Sequence, residues 1–68
     1  PDIFLEAARI AGVWHTDCIG VEDAQAGLDA IRAAGMKSVG IGTSLSGADC
    51  TISSTAELTF ELLERLMN

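Results

Sequence analysis

An α/β fold built on parallel strands is what this 68-residue sequence predicts, on three observations. Cys18-Ile19-Gly20-Val21 is a short continuous apolar run without alternation, the pattern of a strand buried on both faces of a parallel sheet. Ser38-Val39-Gly40-Ile41 reads as a second strand of the same kind. Between them, apolar residues recur at spacings of three and four, which is the helical period.

Taken in order, the first helix runs from Pro1 to about Gly12, with Ile3, Phe4, Ala7, Ile10 and Ala11 following that period. Pro1 suits a first turn, Asp2 suits the positive end of the helix dipole, and Gly12 can end the helix. Val13 to Asp17 is a loop leading into the Cys18–Val21 strand. Glu22-Asp23 closes the strand, and a second helix follows from about Ala24 to Ala34. Its inward face is Ala24, Gly27, Leu28, Ile31 and Ala34, and Gly35 supplies a left-handed stop. A glycine inside a helix costs about 1 kcal/mol relative to alanine, so Gly27 signals close packing of the helix on the sheet. Residues 18–41 then form one strand-helix-strand unit with parallel strands and a right-handed crossover. Gly42 to Asp49 is a polar loop, and Cys50-Thr51-Ile52 a short edge strand. Ser54 and Glu57, three apart before an apolar run, have the form of a capping box. The last helix carries Leu58, Leu62, Leu63 and Leu66 on one face. The order is helix-strand-helix-strand-strand-helix, without repeats or linkers.

Composition sets the bounds. Apolar residues make up 49% of the chain and charged residues 21%, which excludes a disordered chain. Two cysteines cannot build the disulfide framework of a small secreted domain. For so short a chain, apolar burial and chain entropy nearly cancel. The sequence therefore reads as part of something larger, either a piece of a bigger domain or half of an oligomer. A start at Pro1, inside an amphipathic pattern and without a signal segment, predicts a cut chain. The net charge of −6 argues against nucleic acid and anionic membrane as partners, since both require a basic face. No apolar run reaches the length of a membrane span. A cytoplasmic setting is expected, with Cys18 and Cys50 as buried, reduced, inert thiols.

The chemistry concentrates at Gly20-Val21-Glu22-Asp23-Ala24. In open α/β sheets, ligands bind beyond the carboxyl ends of the strands, beside the helix starts that follow them. One reading of the pair makes Asp23 a helix N-cap and Glu22 a solvated loop residue. The other makes both carboxylates hard oxygen ligands for Mg²⁺, which takes one or two carboxylates together with waters and phosphate oxygens. The two readings are compatible. His15 stands alone as a surface residue, without the three or four convergent ligands of a zinc site. Gly40-x-Gly42 matches no phosphate-loop fingerprint.

Gly20 to Gly27 (GVEDAQAG), continuing to Ala33-Ala34-Gly35-Met36, resembles the fourth signature motif of the haloacid dehalogenase superfamily, and within it the β-phosphoglucomutase group. Pro1-Asp2-Ile3-Phe4-Leu5 resembles the tail of that family's K-P-x-P-D-x-F segment. Ala48-Asp49, Ile52 and Glu57-Leu58 resemble its closing strand and helix. The resemblance implies that residues 1–68 are the C-terminal part of a Rossmann-like three-layer core domain. It makes Glu22 and Asp23 metal ligands, Mg²⁺ the cofactor and a phosphorylated sugar the substrate. It places the central strand, the nucleophilic aspartate, the acid/base aspartate, the Ser or Thr that holds the phosphate, and the cap domain upstream of Pro1. A phosphate-binding lysine is implied three positions before Pro1, a role that Lys37 does not fill. The implied activity converts glucose 1-phosphate to glucose 6-phosphate through an aspartyl-phosphate. Hydrolysis of a sugar phosphate is the alternative, and a non-catalytic α/β module that binds a partner through its open sheet edge is another. No residue of the chain itself is expected to be catalytic, so these residues alone should be inactive.

Overall fold

A computed structural model describes residues 2–67. The elements are α1 (Asp2–Ala11), a 3₁₀ turn (His15–Asp17), β1 (Ile19–Glu22), α2 (Gln25–Ala33), β2 (Lys37–Ile41), β3 (Cys50–Ile52), a second 3₁₀ turn (Thr55–Glu57) and α3 (Phe60–Met67). All three strands are parallel, in the order β1-β2-β3. The predicted α/β class and element order hold. β1 starts one residue later than expected and takes in Glu22 as its last residue. The expected place of Pro1 in the first turn lies outside the described residues.

β2 lies between its neighbours, so Ser38, Val39 and Gly40 are buried. α2 packs on the sheet through Leu28, Ile31 and Ala34. That approach requires Gly20, because a β-carbon there would stand 2.6 Å from the Ile31 side chain. Two of the five expected inward positions are not in the core. Ala24 precedes the helix and is exposed, and Gly27 is half-buried. Gly12 (φ 77°) and Gly35 (φ 78°) end α1 and α2 in the left-handed conformation that glycine adopts without steric cost.

Ala8, Ile31, Ala34 and Met36 form a core cluster, with Phe4 and Cys18 packed against it. The expected apolar face of α1 is therefore corrected. The helix docks through Phe4 and Ala8, which lie one turn apart, while Ile3 and Ile10 remain 75% and 73% exposed. The small Ala8 side chain allows the close approach, and no described element covers the Ile3–Ile10 side. Between α1 and β1 an open groove of about 330 Å³ remains, lined by Phe4, Ala7, Ala11, Ile19 and Val21 among others. Among the described residues, the outer edge of β1 pairs with no strand.

The capping box is also corrected. Ser54 makes no side-chain cap. Instead the Glu57 carboxylate accepts from the Ser53 backbone N–H and the Ser53 hydroxyl, both at 2.8 Å, and closes the 3₁₀ turn. Those two bonds, the backbone one first, hold the Glu57 carboxyl below its ordinary range. Leu58 then turns to extended backbone, so α3 begins only at Phe60. The Thr59 hydroxyl accepts from the Leu62 N–H at 3.2 Å, in the manner of an N-cap. Leu58, Leu62, Leu63 and Leu66 are half-buried.

Candidate metal site at the end of the first strand

Side chains alternate along a strand, so Glu22 shares a face with Gly20, the face that α2 covers. Glu22 pairs in register with Gly40 of β2. Its Oε1 accepts the backbone N–H of Asp23 at 3.0 Å and of Ala24 at 3.2 Å. The carboxylate thus lies along the chain entering α2, half-buried and fixed by two donors. Gly27 makes room for it, because a β-carbon there would overlap the Glu22 carboxylate. Close packing was the expected reason for this glycine, and the partner is the final side chain of the strand.

Asp23 follows directly and is exposed. The N-cap position of α2 belongs to Ala24, without a side-chain cap, so Asp23 does not act as the helix cap. The strand gained a residue at its end, and α2 begins correspondingly late.

Next to the pair, the loop between β2 and β3 is tied down. Gln25 donates from Nε2 to the Ser46 carbonyl at 3.0 Å and accepts the Ser46 N–H on Oε1 at 2.9 Å. The same Nε2 donates to Asp29 Oδ1 at 2.9 Å. Leu45 fills the bare face of Gly40, whose β-carbon would come within 3.0 Å of it. Further along, Asp49 Oδ2 accepts from the Ser38 N–H (2.8 Å) and hydroxyl (3.2 Å), while the Asp49 N–H donates to Ser38 Oγ at 3.1 Å. None of these ties was read from the sequence. The run of polar residues in the loop was visible, but nothing in it names a partner.

His15 precedes β1 while Glu22 ends it, so the two stand at opposite ends of the strand. It is half-buried against Gly35 rather than on the open surface, and its shielded Nδ1 has no hydrogen-bond partner among the described residues. Cys18 and Cys50 are free thiols, half-buried rather than fully buried, and the Cys18 thiol donates to the Trp14 carbonyl at 3.4 Å.

Among the described residues no three His, Cys, Asp or Glu side chains converge. Glu22 and Asp23 therefore offer two hard oxygen donors at the carboxyl end of a parallel strand. That donor set fits Mg²⁺, which usually keeps several waters and takes only one or two carboxylates from a protein. No helix among the described residues is long and apolar enough to cross a membrane.

No family model matches the chain. It is 49% identical over 65 residues to β-phosphoglucomutase of Bacillus subtilis (strain 168), a match covering 93% of this chain and 29% of that protein. A crystal structure of a HAD hydrolase, family IA, variant 3, from Entamoeba histolytica superposes with a TM-score of 0.87 at 29% identity, covering 98% of this chain and 34% of that one. The homologues of this chain are members of the haloacid dehalogenase superfamily. Within the superfamily, the crystal structure of β-phosphoglucomutase from Clostridium difficile superposes with a TM-score of 0.94 at 44% identity, over 100% of this chain and 31% of that one. The chain spans about a third of the length of each of these superfamily members.

Proposed function

We propose that Glu22 and Asp23 are the carboxylates that hold one Mg²⁺ in a phosphoryl-transfer site, and that the protein is a mutase acting on a phosphorylated sugar, interconverting glucose 1-phosphate and glucose 6-phosphate. The observation that carries this reading is the acidic pair at the carboxyl end of a parallel strand, in a chain that superposes along its whole length on a β-phosphoglucomutase. The bound metal would offset the repulsion between an anionic nucleophile and an anionic phosphate. The chain's own part is to keep the two carboxylates in place: Asp23 and Ala24 amides orient Glu22, Gly27 leaves it space, and Asp23 faces solvent.

In this reading residues 1–68 form the C-terminal part of a core domain. The nucleophile, the acid/base group and the cap domain belong to other parts of the protein, and a further strand of the core pairs with the open edge of β1. The acidic charge and reduced thiols suit a cytoplasmic enzyme. A second reading keeps the site and replaces transfer to sugar by transfer to water; the likeness to a family IA hydrolase favours it.

The test uses the full-length protein, assayed with β-glucose 1-phosphate for glucose 6-phosphate formation against release of free phosphate. Mutase activity with little phosphate release is expected, and phosphate release alone selects the hydrolase. Glu22→Gln and Asp23→Asn should each raise the Mg²⁺ concentration for half-maximal rate by about tenfold or more, the scale on which a lost charged interaction acts. Wild-type Mg²⁺ demand in both variants would remove the metal assignment.

A further inference from the structure

Gln25 is the first residue of α2, two positions after Asp23, and its side-chain amide has a partner at both ends. The pair of bonds to Ser46 is reciprocal, carbonyl to N–H and N–H to carbonyl, so the side chain acts like one rung of a sheet ladder. It joins residues 21 positions apart. The attached loop, Gly42 to Asp49, contains no helix or strand of its own. Just before the tie, Leu45 covers Gly40, and Gly40 is the register partner of Glu22. Just before Gln25 itself, the Ala24 N–H donates to the Glu22 carboxylate. The clamp therefore grips both surroundings of Glu22: the peptide that orients it and the loop that occupies the adjacent row of the sheet.

We propose that Gln25 is a positioning residue for the metal-binding carboxylate Glu22, acting by locking the Gly42–Asp49 loop to the start of α2. The inference rests on the metal reading above and adds a residue outside the acidic pair. Such a residue touches neither metal nor substrate. Its loss lets the loop and the α2 entry move apart, so Glu22 must be reordered each time the cation binds. The consequence is weaker cation binding with little change in the rate once the site is filled.

The test uses the full-length protein with Gln25→Leu, which removes both ties, and Gln25→Glu, which can still accept the Ser46 N–H but cannot donate to its carbonyl when ionised. In the metal-free protein, amide hydrogen exchange is followed at Ser46. It should be protected in the wild type, at least tenfold faster in Gln25→Leu, and intermediate in Gln25→Glu. The half-saturating Mg²⁺ concentration should rise roughly tenfold in Gln25→Leu, the low end for residues that support a metal ligand from outside, with kcat at saturating Mg²⁺ nearly kept. If Gln25→Leu does not fold, Gln25→Glu decides alone, by the same two readouts. Faster exchange at Ser46 without a change in Mg²⁺ demand, while Glu22→Gln does change it, overturns the role of Gln25 and leaves the metal site standing. An unchanged Mg²⁺ demand in Glu22→Gln overturns the role of Gln25 together with that of Glu22 as a ligand, and with Asp23→Asn unchanged as well the metal site itself falls.

Discussion

Gly27 couples two properties that a substitution can separate. Alanine is favoured over glycine in a helix by about 1 kcal/mol, and the helical backbone at residue 27 accepts it. A β-carbon there would overlap the Glu22 side chain from its Cγ to its carboxylate, so the whole side chain must turn away from the Asp23 and Ala24 amides that hold it. The helix gain and the loss of the two amide bonds to Glu22 then oppose each other, so Gly27→Ala should change thermal stability by only about 1 kcal/mol in either direction. The Mg²⁺ concentration for half-maximal rate should nevertheless increase, as read from thermal unfolding and a metal titration on the same preparation. A fall in stability with unchanged metal demand would mean that the glycine serves packing alone. At this scale the sequence was half legible. Two adjacent acids after an apolar run stand out, because strand ends and helix starts leave local marks. Gln25 does not stand out, because its partner is the backbone of Ser46 and carries no side-chain signature.

Among elements, β1 and α2 approach each other through glycines at residues 20 and 27. Gly20 meets Ile31, which is fully buried, and neither has a route to solvent. Gly20→Ala should destabilise the protein by about 1–3 kcal/mol through overpacking, seen as a lower midpoint in denaturant at an unchanged slope. The contrast with Gly27→Ala lies in the neighbour: a fully buried branched side chain here, a half-buried unbranched one at the strand end there. The strands were readable because two-sided burial gives unbroken apolar runs. The α1 face and the helix start near Ser54 were misread for a common reason. A periodic pattern shows which residues can share a face, and a Ser-x-x-Glu spacing shows which can bond, but the choice lies with neighbours. Ala8 rather than Ile3 or Ile10 met the core, and Ser53 rather than Ser54 reached Glu57.

Over the whole molecule, the Cα radius of gyration of 11.4 Å is close to the about 11 Å typical of a compact chain of this length. Its exposed apolar side chains are not evenly spread. Ile3, Leu5, Ile10, Val13, Trp14 and Val21 belong to α1, the segment after it and β1, while only Phe60 and Met67 among the exposed large apolar side chains of the described residues belong to α3. Produced by themselves, these 68 residues should melt broadly and self-associate at micromolar concentration, as followed by circular dichroism and size-exclusion chromatography, because a short sheet with an open edge and an apolar flank invites pairing. A sharp, concentration-independent transition of a monomer would show that the unit is sufficient unto itself. The overall class was legible because helix and strand periods are local, whereas no local pattern names what would cover this flank.

The tethers at Ser46 and Asp49 split the segment between β2 and β3 unequally. From Ser46 onward the chain is moored at short intervals, first to α2, then to β2, with Arg32 lying under Gly47. Thr43 and Ser44, ahead of those moorings, are exposed. Extra length can therefore be absorbed at that crest without disturbing the moorings at Ser46 and Asp49.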